Sequence, residues 1–135
     1  MRAAACHCGQ LSLTCEGEPR KISQCHCSDC QRRTGSVFSI AAFFDRAAVT
    51  VSGEAGAFTR DSGSGHPVTF RFCPKCGSNL WWEPARMPDR IGVAVGAFAD
   101  PGFPPPEQSV WNQDRHAWVA LREGVPAFEQ NPPPR

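Results

Sequence analysis

The sequence contains no tyrosine among its 135 residues, so no phenolic hydroxyl is available as an acid in any mechanism. It also lacks an apolar run near the roughly 20 residues that span a membrane. The N-terminal segment Met1-Arg2-Ala3-Ala4-Ala5-Cys6 has no apolar core of the kind found in secretory signals. These absences predict a cytoplasmic protein that has no membrane partner.

Long runs of one charge are absent as well. The chain carries 14 basic and 13 acidic residues, which are spread along it and give a formal net charge of +1. Nucleic-acid-binding surfaces usually need clustered lysine and arginine side chains. The sequence therefore predicts no nucleic-acid partner.

Cysteine, by contrast, is abundant, with eight residues. In a reducing compartment, cysteine clusters serve metal binding or catalysis more often than disulfide frameworks. The close spacings Cys6-x-Cys8 and Cys25-x-Cys27 also suit a shared metal better than a bridge. Metal binding is the main interpretation, and a disulfide framework is the minor alternative.

The hydrophobic pattern predicts many short strands and one short helix. The helix is expected to begin at Ser28 as N-cap, with Gln31 three residues later and Gly35 past its end. This is the pattern of a mainly β protein, with a single domain over residues 1–130 and a proline-rich tail over 131–135. The predicted strands fall within Gln10–Cys15, Val37–Phe44, Val49–Val51, Val68–Phe72, Leu80–Trp82 and Ile91–Phe98.

A first metal site is predicted around Cys73-Pro74-Lys75-Cys76-Gly77. Two thiolates separated by two residues across a hairpin tip can both reach one tetrahedral zinc at about 2.3 Å. Cys6 and Cys8 are the natural second half, because residues i and i+2 of an extended segment point the same way. Four thiolates saturate zinc, and the site closes a loop of about 65 residues, so it is predicted to be structural.

The second cluster is Cys25-His26-Cys27-Ser28-Asp29-Cys30, which places three thiols at the start of the predicted helix. Three ligands leave one coordination position of zinc open, and a substrate thiol bound there would become a nucleophile at neutral pH. In the alternative pairing, Cys25 and Cys27 would join the Cys73 pair. That pairing leaves Cys6 and Cys8 without a clear third ligand.

Other residues could complete or serve the open site. A second structural zinc would need Cys15, His26 or His66 as its fourth ligand. The alternation around Cys15 favours a buried thiol, and the ring of His26 should point away from a metal shared by its neighbours. His66 and Asp29 are weak candidates for proton transfer, with a solvated loop and a helix terminus as their ordinary roles.

The aromatic residues are expected to lie mostly in the core, because aromatic side chains dominate burial in small β domains. The set comprises Phe38, Phe43, Phe44, Trp81, Trp82, Trp111 and Trp118. Two of them are predicted to line the open site. Phe38 follows the helix within a few residues, and Trp111 lies in a proline-flanked segment that could cap the site.

Read in order, these motifs resemble the glutathione-dependent formaldehyde-activating enzyme family, whose domain also occurs in centromere protein V. The resemblance rests on Cys6-x-Cys8-Gly9, Cys25-His26-Cys27-Ser28-Asp29-Cys30-Gln31-Arg32 and Phe72-Cys73-Pro74-Lys75-Cys76-Gly77-Ser78. The C-terminal stretch, with Val110-Trp111 and Ala117-Trp118, looks like that of the short bacterial members. The resemblance covers nearly the whole chain.

The resemblance implies folded antiparallel β-sheets stapled by zinc, of the type shared with the Rab exchange-factor zinc protein. It also implies two zinc ions, one structural on Cys6, Cys8, Cys73 and Cys76, and one catalytic on Cys25, Cys27 and Cys30. The implied activity is that of a carbon–sulfur lyase, which makes or breaks S-hydroxymethylglutathione from glutathione and formaldehyde. The expected partners are thus a glutathione-like thiol and a small aldehyde, and the alternative function is a non-catalytic, zinc-stabilised interaction module.

Overall fold

The computed structural model describes residues 1–63 and 65–132. Ser64 of one predicted loop and residues 133–135 of the predicted tail lie outside the described residues. The chain forms two compact units, one from Met1–Arg20 with Ala42–Phe103, the other from Lys21–Ala41 with Pro104–Arg135. The single domain over residues 1–130 stays a prediction.

The described residues form ten strands and one α-helix, so the mainly β prediction is confirmed. The helix, α1, runs over Ser28–Thr34, and no helix in this part of the chain is long and apolar enough to cross a membrane. The strands are β1 (Arg2–Ala5), β2 (Ser12–Cys15), β3 (Lys21–Cys25), β4 (Ser39–Asp45), β5 (Val49–Ser52), β6 (Gly56–Asp61), β7 (Pro67–Phe72), β8 (Asn79–Pro84), β9 (Arg90–Ala94) and β10 (Gln108–Val110).

The first unit contains an antiparallel sheet of order β1-β2-β5 and a run of neighbouring strands β9-β8-β7-β6. In β2 the side chains of Leu13 and Cys15 are buried while Ser12 and Thr14 are half-buried, as the alternation predicted. β7 and β8 form an antiparallel hairpin. Its connection carries Cys73 and Cys76 at the predicted hairpin tip.

The second unit contains β3 and β10, which pair in parallel, with Val110 opposite Cys25. The predicted antiparallel pairing is confirmed for β1-β2-β5 and for β6 to β9, but the β3–β10 pair is parallel. Parallel neighbours need a long crossover, and β10 reaches β3 from more than 80 residues along the chain. The alternation of apolar and polar residues within one strand does not indicate a parallel pairing with a strand so far along the chain. The likeness to the Rab exchange-factor fold stays a prediction.

Several element boundaries differ from their predictions, among them the start of α1 and the end of β9. Cys27 rather than Ser28 caps α1, because its Sγ accepts a hydrogen bond from the backbone N–H of Cys30. Gly35 ends the helix at a φ of 71°, a left-handed conformation that glycine adopts without strain. The predicted strand over 91–98 ends at Ala94, after which the chain winds into a 3₁₀ turn over Val95–Phe98.

Candidate metal centres

Cys6, Cys8, Cys73 and Cys76 form one cluster in the first unit, and their sulfur atoms all lie within 4.8 Å of one another. The Sγ of Cys8 is 3.6 Å from that of Cys6 and 3.7 Å from that of Cys73. Sulfurs bound at the usual distance to one tetrahedral zinc are about 3.8 Å apart. The cluster thus has the donor chemistry and the spacing of a four-thiolate zinc site.

Two turns bring these sulfurs together. Gly77 has a φ of 78° and donates its N–H to the carbonyl of Cys73 over 2.8 Å, which closes the turn around Cys76. The turn after Cys6 is joined to this one because the N–H of His7 donates to Ser78 Oγ at 3.0 Å. The two turns that carry the four sulfurs are therefore linked directly to each other.

Hydrogen bonds give the thiols of this cluster different pKa values. The Ser78 hydroxyl and the Ser78 backbone N–H lower the pKa of Cys76 to about 5. A hydrogen bond from the Gln10 backbone lowers the pKa of Cys8, but burial and bonds to the other thiols raise it to about 11. Of these two thiols, Cys76 has the lower pKa and loses its proton more readily, and zinc binding, which needs thiolates, would release the remaining protons.

Cys25, Cys27 and Cys30 form the second cluster, within the second unit, and their sulfur atoms also lie within 4.8 Å of one another. Cys25 ends β3, Cys27 caps α1, and Cys30 lies in the first turn of the helix. All three side chains are half-buried, whereas Cys6 and Cys73 of the first cluster are buried. The strand end and the helix start therefore present three thiols at a partly accessible position.

No fourth cysteine, histidine, aspartate or glutamate joins these three thiols among residues 1–63 and 65–132. Hydrogen bonds with Cys27 and Cys30, together with burial, raise the pKa of Cys25. A soft, sulfur-only donor set of this kind suits zinc, so both clusters could hold it.

The other proposed ligands lie outside both clusters. Cys15 is fully buried, and burial raises its pKa to about 11, which keeps it a neutral thiol. His26 is fully buried with its Nε2 atom 3.0 Å from Ser109 Oγ. His66 is an exposed loop residue, and Asp29 is exposed in the first turn of α1. None of the three candidates for a fourth ligand, Cys15, His26 and His66, joins the Cys25 cluster among the described residues, as the alternative of a second structural zinc would need.

The two aromatic residues predicted near the open site are only half-buried. Phe38 packs edge-on against the ring of His26, with the two ring centroids 5.9 Å apart. Phe38 therefore contacts the residue between Cys25 and Cys27. Trp111 has a φ of 56° and donates its Nε1 hydrogen to Asn131 Oδ1 at 3.2 Å. The expectation that Trp118 lies in the core is wrong, because 74% of this residue is exposed.

The segment around the open cluster is held by two residues that the sequence reasoning did not assign. Gln31 donates from Nε2 to the carbonyls of His26 and Asp114, and its Oε1 atom lies 2.8 Å from His116 Nε2. Ser109 is fully buried and bonds His26. Gln31 belongs to the cysteine motif, but it was predicted only to follow the helix cap. Ser109 carries no local signal, because its partner is 83 residues away.

No functionally curated protein matches the chain. One solved structure with a similar fold is the crystal structure of a Rhodobacter sphaeroides protein, with 22% sequence identity and a TM-score of 0.54. The match covers 93% of this chain and 98% of the other. At that identity the likeness concerns the fold alone.

A family model described as "Glutathione-dependent formaldehyde-activating enzyme" matches residues 1–114. This range includes all ten strands, α1 and both cysteine clusters. The chain belongs to the glutathione-dependent formaldehyde-activating enzyme family.

Proposed function

We propose that this protein is a zinc-dependent carbon–sulfur lyase that acts on adducts of a glutathione-like thiol and a small aldehyde. The substrate thiol would bind as the fourth ligand of a zinc ion held by Cys25, Cys27 and Cys30. The single observation that carries the proposal is the cluster of three half-buried thiols without a fourth protein ligand among the described residues. Membership of the formaldehyde-activating family supplies the substrate class.

The two clusters have different roles in this proposal. Cys6, Cys8, Cys73 and Cys76 would hold a structural zinc, because four thiolates leave no position for a substrate. They join a turn near the N-terminus to the β7–β8 hairpin, so the zinc would stabilise the first unit. The Cys25 cluster would carry the reaction, since three protein ligands are typical of catalytic zinc.

The reaction needs little chemistry from the protein itself. In adduct formation the thiol loses its proton, its sulfur bonds the aldehyde carbon, and the carbonyl oxygen gains a proton to become a hydroxyl. The reverse reaction breaks the same carbon–sulfur bond. A bound zinc supplies Lewis acidity, which lowers the pKa of a coordinated thiol.

The protein's residues would hold and orient the thiol. Cys27 and Cys30 are fixed by the helix start, where the Cys30 N–H donates to the Cys27 sulfur at 3.3 Å. A hydrogen bond with Cys25 and the positive charge of Arg33 act to lower the pKa of Cys30, but the Cys27 thiol and burial outweigh them and raise it. Arg33 Nη2 donates to Ser39 Oγ at 3.0 Å. The positive charge of Arg33 would partly offset the negative charge of three thiolates on zinc.

Exchange spectroscopy tests the activity directly. Glutathione and formaldehyde combine without a catalyst, so the measured quantity is the exchange rate between free thiol and hydroxymethyl adduct above that background. Zinc-loaded protein is expected to raise the rate, Cys30→Ser to return it to background, and Cys15→Ala to keep the parent rate. A parent protein that leaves the background rate unchanged would overturn the lyase proposal and favour the interaction module.

A further inference from the structure

A chain of buried hydrogen bonds links the open cluster to β10 and the turn that follows it. His26 lies between Cys25 and Cys27 and is fully buried. Its Nε2 atom is 3.0 Å from Ser109 Oγ, and this hydroxyl is 3.1 Å from Asn112 Oδ1. All of these residues belong to the second unit, so the chain of bonds lies within one compact body.

The orientation of the Asn112 amide is fixed by its own partners. Its Nδ2 group donates to the carbonyl oxygens of Ser109 and Phe128, each at 3.0 Å. Carbonyl oxygens only accept hydrogen bonds, so the amide nitrogen must face them and Oδ1 must face Ser109. A flipped amide would set oxygen against oxygen at two places.

This orientation decides which ring nitrogen of His26 carries the proton. Asn112 Oδ1 is an acceptor, so the Ser109 hydroxyl donates to it. The same hydroxyl oxygen must then accept from His26, which requires a proton on Nε2. His26 Nδ1 is buried and has no hydrogen-bond partner among the described residues, so a proton there would be an orphaned donor.

The backbone of His26 is also held by hydrogen bonds. Its N–H donates to the carbonyl of Val110 at 3.2 Å, and its carbonyl accepts from Gln31 Nε2 at 2.9 Å. Gln31 Nε2 also reaches the carbonyl of Asp114. The residue between Cys25 and Cys27 is thus fixed by its N–H, its carbonyl and its ring.

We propose that His26 is a positioning residue of the open metal site, locked by Ser109 and Asn112 as the Nε2–H tautomer, and that it sets Cys25 and Cys27 for metal binding. The proposal rests on the proposed zinc site at Cys25, Cys27 and Cys30. Partners that orient a metal-binding segment typically change metal affinity by about 10- to 100-fold when they are removed. His26 acts through its neighbours and is not itself a ligand.

Ser23 provides a matched control for Ser109. It is also a buried serine of the second unit, and it accepts a hydrogen bond of 3.1 Å from Gln108 Nε2, which links β10 to β3. Ser23→Ala therefore removes a buried hydroxyl and one cross-strand bond without touching His26. Any difference in zinc affinity between Ser109→Ala and Ser23→Ala reports the link to His26.

Zinc affinity is measured by competition with a chromogenic chelator, and cadmium-113 NMR separates the two sites. Ser109→Ala is expected to weaken zinc binding at the open site about 10- to 100-fold. Ser23→Ala should leave it unchanged, and neither variant should affect the four-cysteine site. His26→Gln, whose amide can reach Ser109, should bind zinc more tightly than His26→Asn, whose shorter amide cannot.

Nitrogen-15 NMR of labelled histidine tests the tautomer in the zinc-loaded protein. The expected result is a bare Nδ1 and a protonated Nε2 at neutral pH, and a protonated Nδ1 would overturn the proposal. Two bound zinc ions with equal effects of Ser109→Ala and Ser23→Ala would overturn the positioning role alone. A parent protein that binds only one zinc would overturn the proposed function and the positioning role together, while leaving the tautomer result readable.

Discussion

The side-chain Nε2 atom of Gln10 lies 3.0 Å from the sulfur of Cys73 and 2.8 Å from the carbonyl oxygen of Glu54. The Glu54 N–H returns a bond to Gln10 Oε1 at 3.0 Å. One amide therefore ties the turn between β5 and β6 to the four-cysteine cluster. Burial raises the pKa of Cys73, but the bond from Gln10 and nearby backbone N–H groups lower it by more.

Gly53→Ala is expected to disrupt this connection. Gly53 has a φ of 100°, and a Cβ atom there would meet the backbone oxygen and carbon of Gln10 far inside van der Waals contact. The turn must move away from Gln10, so we expect a loss of about 3 kcal/mol in the free energy of unfolding, measured by urea titration. Zinc should also leave the four-cysteine cluster more readily.

Gly17→Ala is the control, because Gly17 also has a positive φ, of 74°, but has open space around its Cβ position. It should cost only the strain of a left-handed residue, about 1 kcal/mol. Equal losses in the two variants would contradict the role assigned to the Gln10 contact.

Replacing single cysteines should separate the two metal sites. Cys30→Ser is expected to reduce bound zinc from two ions to one while the circular dichroism spectrum stays that of the parent. The fold should be retained because the three-cysteine cluster is partly accessible and joins only the end of β3 to the start of α1. Cys15→Ala should keep both ions, because Cys15 belongs to neither cluster. Loss of both zinc ions in Cys30→Ser would contradict the prediction that the two sites bind zinc independently.

Cys76→Ser should have the larger effect on stability. The four-cysteine cluster joins residues 65 positions apart, and a structural zinc of this type contributes roughly 10 kcal/mol of binding free energy to folding. We expect the cooperative thermal transition of the first unit to be lost, and chelation of zinc from the parent protein to do the same. A cooperative transition near the parent midpoint would show that this zinc is dispensable.

Glu83 should make stability depend on pH. It accepts from Arg71 Nε at 2.7 Å and from Arg46 Nη1 at 2.8 Å. Burial works to raise the pKa of Glu83, but the bonds and charges of Arg71 and Arg46 outweigh it, so the pKa is lowered. The resulting stability is present above the unfolded-state pKa, about 4.3, and is lost as pH falls through the lower folded-state pKa.

Glu83→Gln is therefore expected to cost about 1–3 kcal/mol at pH 7, with a smaller difference from the parent in acid, as measured by urea unfolding across pH. Glu18→Gln is the matched control, because Glu18 is largely exposed and its bond to Arg2 spans the surface. A penalty for Glu83→Gln that stays constant down to acid pH would mean that lost packing, and not lost charge, is responsible.

The cysteine clusters could be predicted from the sequence because their geometry is mostly local. Cys25, Cys27 and Cys30 lie within six residues, and Cys73 and Cys76 share one turn. Only the pairing of Cys6 and Cys8 with that turn crosses a long stretch of chain. That pairing was predicted from an extended Cys6–Cys8 segment, whereas the structure has a turn there, in which the Gly9 N–H donates to the carbonyl of Cys6 at 3.1 Å.

The strand β3 shows why other parts of the fold were missed. Its residues Ser23 and Gln24 are polar yet buried. Burial is tolerated in part because Ser23 bonds Gln108 of the parallel neighbour β10. The sequence shows a polar stretch there, and only the tertiary pairing reveals a core strand. The same holds for Ser109, whose importance depends on His26 and Asn112.

The central claim is that the three-cysteine site takes a thiol as its fourth ligand while the four-cysteine site is closed. Cadmium-113 NMR of protein loaded at both sites tests it most directly, because the resonance position reports the number of bound sulfurs. On addition of glutathione, one resonance should move toward the position of the four-sulfur site while the other stays fixed. Two resonances that both remain unmoved at saturating glutathione would contradict the account.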